Sequence, residues 1–158
     1  GKRGWGETVN WPAGTQGAEK NSGVAQLIGQ TAGAIGYVDL ADAAKAKLTF
    51  AAIKDQSGEF VLPSAKGVTV ALDSAEIADD LTYNPLNSAG KGAYPITAPT
   101  WIITFASYGD AATVSTLQTY LKYLLTTGQE QASATGYVGI PSSLQTKALA
   151  QVEKIKAG

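Results

Sequence analysis

The chain has 158 residues, 44% apolar and 16% charged, with 12 Lys+Arg against 13 Asp+Glu and no His, Cys or Met. That length suits one globular domain, and a formal net charge of -1 supplies no basic field for a polyanion, which argues against nucleic acid as a partner. The missing His and Cys exclude Ser-His-Asp and Cys-His nucleophiles, thiolate or imidazole metal sites, disulfides and iron–sulfur ligation.

Gly1, Gly4, Gly6, Gly14 and Gly17 with Pro12 make the opening stretch a loop around one short expected strand, Thr8 to Trp11. The first residues carry no apolar signal region, and no apolar run approaches the ~20 residues of a membrane span. A helix follows, with Asn21 or Ser22 as N-cap and Val24, Leu27 and Ile28 on one face, ending at Thr31-Ala32-Gly33. Ala34 to Val38 reads as a strand buried on both faces, in which Gly36 lets another backbone approach. Asp39 caps a helix through about Lys47. Leu48 to Lys54 and Glu59 to Leu62 form a hairpin around Asp55-Gln56-Ser57-Gly58.

Ser64 to Ala78 fits either period, and its length favours a helix capped by Ser64. Residues 79–99, rich in Pro and Gly, form the longest irregular stretch, of the kind that serves function or connects domains. Trp101 to Phe105 is expected as a second strand buried on both faces. Asp110 caps a helix carrying Val114, Leu117, Leu121, Leu124 and Leu125, closed by a left-handed Gly128. Ser142 and Gln145 have capping-box spacing for a last helix with Leu144, Ala148, Val152 and Ile155 inward. This alternation argues an α/β protein in two lobes, residues 1–98 and 99–158, with Tyr94 to Thr100 crossing between them.

Chemistry is sparse. Gly14 to Gly23 is a glycine-rich loop entering a helix, where free N–H groups and the helix dipole favour an anion. The phosphate-loop and dinucleotide spacings are absent, so loop geometry is the simpler role for these glycines. Asn21, Ser22 and Gly23 are the candidate anion-facing residues. Asp39/Asp42 and Asp79-Asp80 are carboxylate pairs, but adjacent exposed acids are normally solvated and Asp39 and Asp42 suit a helix first turn. Trp5, Trp11 and Trp101 are more readily core or interface than stacking platforms, and Tyr120 and Tyr123 read as boundary residues of their helix. No catalytic, metal or cofactor site emerges, and an enzyme would need a group that the sequence does not offer.

Three runs carry a resemblance. Asn10-Trp11-Pro12, Gly17 through Asn21-Ser22-Gly23-Val24-Ala25, and Gln30-Thr31-Ala32-Gly33-Ala34-Ile35-Gly36-Tyr37-Val38-Asp39 resemble the second half of the phosphate-binding proteins of bacterial high-affinity phosphate ABC transporters. Ala93-Tyr94-Pro95-Ile96-Thr97, and Thr127-Gly128 through Tyr137 and Pro141, resemble the last third of that family in the same order. The resemblance implies part of a type II periplasmic-binding-protein fold, two α/β lobes closing on one phosphate ion. In the family the ligand comes mainly from upstream segments: a Gly-rich loop with Thr and an aromatic, a Ser, an Asp, an Arg, and a Ser-Gly-Thr at a helix N-terminus.

None of these matches here, and the only arginine, Arg3, lies in the opening loop. The expectation is therefore the C-terminal half of an exported substrate-binding protein for inorganic phosphate. Its partners would be the N-terminal half of the same protein and the ABC transporter permease, with no cofactor. It would be periplasmic or extracellular, with an anchor to the cell surface through the N-terminal half as one arrangement. The alternative is a self-contained anion- or peptide-binding module using the Gly17 to Gly23 loop. Standing alone, the chain is expected to be aggregation-prone or partly molten, because its two apolar strands lose their neighbours.

Overall fold

A computed structural model describes residues 9–158; Arg3, Trp5 and the first glycines lie outside the described residues, as does Thr8 at the start of the first expected strand. Val9 to Trp11 form no strand. The described residues combine six helices with two small two-stranded sheets, and the chain divides into two compact units, Gly1–Leu48 and Thr49–Gly158.

In the first unit α1 spans Lys20–Gln30 and packs on α2, Leu40–Lys45. The helix start lies one to two residues before the expected caps. Glu19 occupies the N-cap without a side-chain bond, and Lys20 enters through a positive φ of 58°. Asn21 is therefore inside the first turn, where its amide donates to Asp39 Oδ2 at 2.6 Å and ties the start of α1 to the start of α2. Ala25 and Ala43 are the buried side chains of this small contact. Gly36 serves close approach, but to side chains rather than backbone: a Cβ there would lie 2.5 Å from Ile28 Cδ1 and 3.7 Å from Val24 Cγ1 of α1.

The second unit opens with the expected hairpin, shorter than its apolar pattern. β1, Ile53–Lys54, pairs antiparallel with β2, Phe60–Val61, across a turn in which Gly58 takes φ 91°. The ambiguous segment resolves as helix: α3 spans Ala65–Asp73, and Ser64 accepts from Gly67 N at 3.1 Å as its N-cap. α3 buries Gly67, Ala71 and Leu72, and the irregular segment that follows buries Pro85, Ala93 and Thr97. Contact between helix and segment depends on missing side chains. A Cβ at Gly67 would sit 3.2 Å from Tyr94 Cβ, and one at Gly90 would sit 2.8 Å from Val70 Cγ1 and 3.1 Å from Ser74 Cβ.

After β3, Ser107–Tyr108, come α4, Ala111–Leu125, then α5, Gln129–Ala134, α6, Ser142–Val152, and β4, Lys156–Ala157, which pairs parallel with β3. Val114, Leu121, Val152 and Ile155 form the apolar cluster, with Leu117, Leu125 and Tyr108 against it, as the heptad-like spacing of α4 leads one to expect. Asp110 caps α4 by accepting from Thr113 N at 2.7 Å.

The other two end signals behave differently from expectation. Gly128 has φ -63°, not left-handed; it is needed because a Cβ would lie 3.0 Å from Tyr123 O and 3.1 Å from Leu124 Cα. Gln145 does not bond back toward Ser142 but donates to Leu125 O at the end of α4, while Gln118 of α4 donates to Val152 O at 3.3 Å and Ile155 O at 3.0 Å at the end of α6. Each helix thus supplies a side-chain donor to carbonyls at or just past the end of the other.

The two strands expected to be buried on both faces, Ala34 to Val38 and Trp101 to Phe105, do not form. Both segments lack strand pairing, with Ile35 97% and Ile103 93% exposed. Both segments are apolar as expected, but a strand also needs a neighbouring backbone to pair with, and none of the described residues supplies one. Trp101 rests edge-on to Tyr83 at 5.2 Å, and Phe105 similarly on Tyr108 at 6.0 Å.

The close approach at Gly90 gives a direct stability test. Gly90→Ala forces Val70 and Ser74 apart and is expected to cost about 1–3 kcal/mol, as overpacking does. Urea unfolding should show a lower midpoint with an unchanged m-value; an unchanged midpoint would mean that the segment does not pack on α3 as described.

Candidate functional site

The glycine-rich approach to α1 shapes a groove on the first unit. Thr15 N donates to Pro12 O at 3.2 Å and Gly14 turns through φ 88°, closing a tight turn before the chain enters the helix through an extended Glu19. Gly23 permits the next close approach, since a Cβ there would lie 3.3 Å from Ala18 Cβ. An open groove of about 570 Å³ results, lined by Gln16, Gly17, Ala18, Gly23, Gln26, Leu27 and Gln30.

Of the three expected anion-facing residues, only Gly23 lines this groove. Ser22 is exposed beside it, and the Asn21 amide is engaged by Asp39. Three glutamine amides give the groove walls both donors and acceptors without formal charge. That suits a small polar group or a peptide backbone, whereas Glu19 and Asp39 at the helix start add negative charge where an anion would approach.

Three of the four paired carboxylates have structural settings. Asp39 is bound by Asn21, Asp42 sits in the first turn of α2, and Asp80 Oδ1 accepts from Thr82 N at 2.9 Å and Thr82 Oγ1 at 2.6 Å. Among the described residues no group of acidic side chains has the arrangement of a metal site. Trp11 stacks on Tyr37 at 6.2 Å and 22°, both well exposed, so this tryptophan is neither core nor isolated.

Sequence reasoning missed Asp55, treating it only as a turn residue. It is 6% exposed. Oδ1 accepts from Ser57 Oγ at 2.7 Å and Glu59 N at 2.9 Å, and Oδ2 accepts from Gly92 N at 3.1 Å. The Ser57 hydroxyl foremost, against the opposing effect of burial, holds this carboxyl below the usual carboxylate range, with the Gly92 and Glu59 amides adding to it. Hydrogen bonds from the Thr82 hydroxyl and amide lower Asp80, and the Thr113 amide lowers Asp110. The only sequence signal for Asp55 was its Asp-x-Ser-Gly turn; its partner Gly92 is 37 residues away.

The sequence profile described as the PBP superfamily domain matches residues 4–152. A phosphate-binding protein, PstS, of Xylella fastidiosa (strain Temecula1) is 36% identical over 145 residues, covering 90% of this chain and 40% of that protein. The PstS proteins of Haemophilus influenzae and Methanocaldococcus jannaschii are each 29% identical, over 89% and 98% of this chain. The chain spans about 40% of the length of the curated relatives it matches, from 40% to 44% among these three.

The lowered carboxyls predict the sign of the pH response. Each depressed acid contributes stability that is fully present above its unfolded pKa and is lost as pH falls through its folded pKa. With Asp55, Asp80 and Asp110 all lowered, their contribution should hold between about pH 5 and 8 and fall away below about pH 4. Thermal melts across that range check this. Replacing Asp55 by Asn should flatten part of the acid-side slope, and an unchanged slope would contradict the assignment.

Proposed function

Because the chain belongs to the PBP superfamily, we propose that it forms the C-terminal part of a substrate-binding protein that captures inorganic phosphate for uptake by an ABC transporter. Support for phosphate as the ligand is the likeness to PstS proteins along 90% of the chain. In this reading the whole protein has a two-lobed type II fold. Residues 1–98 supply most of the second lobe, residues 99–158 return to the first, and most phosphate ligands lie on an N-terminal half. That half and the transporter permease are its partners, outside the cytoplasm. The protein binds and releases its ligand without transforming it.

The observation that carries this reading is the pair of apolar segments at 34–38 and 101–105, without strand pairing and largely exposed. Segments of that composition are stable when they pair with neighbouring strands in a sheet whose two faces are covered, and an N-terminal half is the natural source of the missing strands. The glutamine-lined groove favours a second reading, a module that binds a small polar ligand by itself through the Gly17 to Gly23 loop. In the first reading Asn21, Ser22 and Gly23 contribute at most a helix start facing the ligand cleft.

Titration calorimetry separates the two. A buried phosphate needs several convergent charged and backbone donors, so this chain alone should bind phosphate weakly or not at all. Adding the N-terminal half should restore binding. Micromolar or tighter phosphate affinity on the chain alone, confirmed free of other polypeptides, would overturn the proposal in favour of the self-contained module.

A further inference from the structure

Asp55 has no role in the ligand chemistry described above, yet it is the buried acid with the densest set of hydrogen bonds among the described residues. Its two oxygens face different parts of the chain. Oδ1 stays within the hairpin turn, bonded by Ser57 and Glu59, while Oδ2 reaches Gly92. Gly92 takes φ 79°, a conformation that aims its N–H at the carboxylate. Immediately beyond it, Tyr94 N donates to Gly67 O of α3 at 2.9 Å, Pro95 O accepts from Asn87 N at 2.7 Å, and Thr97 Oγ1 donates to Tyr94 O at 2.7 Å. Gln56 of the same turn also donates to Asn87 O. Thr97 is buried, and from Ala98 to Phe105 only Pro99 is even half-buried.

The polypeptide therefore changes character at one point. Through Thr97 it is pinned to the hairpin and α3; after Thr97 it runs largely exposed and without strand pairing toward β3. We infer that Asp55 is a positioning residue that anchors the near end of the Tyr94 to Thr100 crossing, fixing where one lobe ends and the segment free to bend begins. This rests on the two-lobed reading, because only there does the orientation of the crossing decide how the lobes close on a ligand. Lys91 pairs with Glu59 at 3.1 Å across the same junction, but both are largely exposed and such pairs contribute little. The carboxylate is the stronger tie, being shielded and charge-assisted.

Asp55→Asn distinguishes anchoring from general stabilisation. One carbonyl oxygen can serve the Oδ1 partners, but the amide NH2 then faces the Gly92 N–H, so the link to the segment is lost selectively. Amide hydrogen exchange on the full chain should show Gly92, Ala93 and Tyr94 exchanging about tenfold faster, as expected for one lost hydrogen bond, with Leu121 and Val152 unchanged. Ser57→Ala is the control, since it removes an Oδ1 partner and leaves the Gly92 link; its segment should stay slow. Equal acceleration at all five amides, no acceleration, or the same response in both variants would overturn the anchor.

With an N-terminal half added, Asp55→Asn should weaken phosphate binding roughly three- to tenfold, because a loosened crossing lowers the population of the closed arrangement. Unchanged affinity would overturn the inference. If the unsubstituted complex does not bind phosphate, the proposed function fails, and the exchange comparison still decides whether Asp55 holds the segment.

Discussion

Backbone pairing is the constraint on which the rest of this structure depends. An extended apolar segment satisfies its N–H and C=O groups only through a neighbouring strand or water, and it hides its side chains only beneath a layer of helices or another sheet. Ile35 and Tyr37, and Ile102, Ile103 and Phe105, stand exposed because those partners are not among the described residues. Where the chain does supply partners, it folds locally: two hairpin strands find each other across a five-residue connection, and β4 finds β3 beside the α4–α6 cluster. Sheet formation is limited here by topology rather than by β-propensity.

The helical part of the second unit shows the complementary case. Its ends are satisfied by its own side chains, with Gln118 and Gln145 each donating to the terminus of the opposite helix and Lys122 bridging Glu153 at 2.6 Å. Gln129 extends the pattern, donating to Leu124 O at 2.6 Å and accepting from Ile140 N at 2.9 Å. Beneath these polar links lie Val114, Leu121, Val152 and Ile155. Such a unit can hold its shape whether or not the segment at 98–105 finds other strands, which accords with the proposed function.

What could be read from sequence followed the range of the interaction. Ser64 and Asp110 were legible as caps because each acts on an amide three residues ahead, and the α4 core face because its period is local. The hairpin was legible through its turn residues. The start of α1 was misplaced because Asn21 serves Asp39, 18 residues away, instead of its own helix, and Gln145 misled in the same manner. Asp55 was legible as a turn former but not as a tie to Gly92, and the two unpaired segments were legible as apolar but not as lacking neighbours. The candidate groove was half visible: its glycines were recognised, while Gln16, Gln26 and Gln30 carry no motif.

The central claim is that segments 34–38 and 101–105 are strands awaiting a partner. Amide hydrogen exchange at Ile35, Tyr37, Ile102 and Ile103, measured on this chain alone and again with an N-terminal half of a phosphate-binding relative, tests it most directly. The account predicts exchange near the unprotected rate for the chain alone and strong protection in the complex, with the amides of Leu121 and Val152 protected in both. Strong protection of the four amides in the monomeric chain by itself would contradict it.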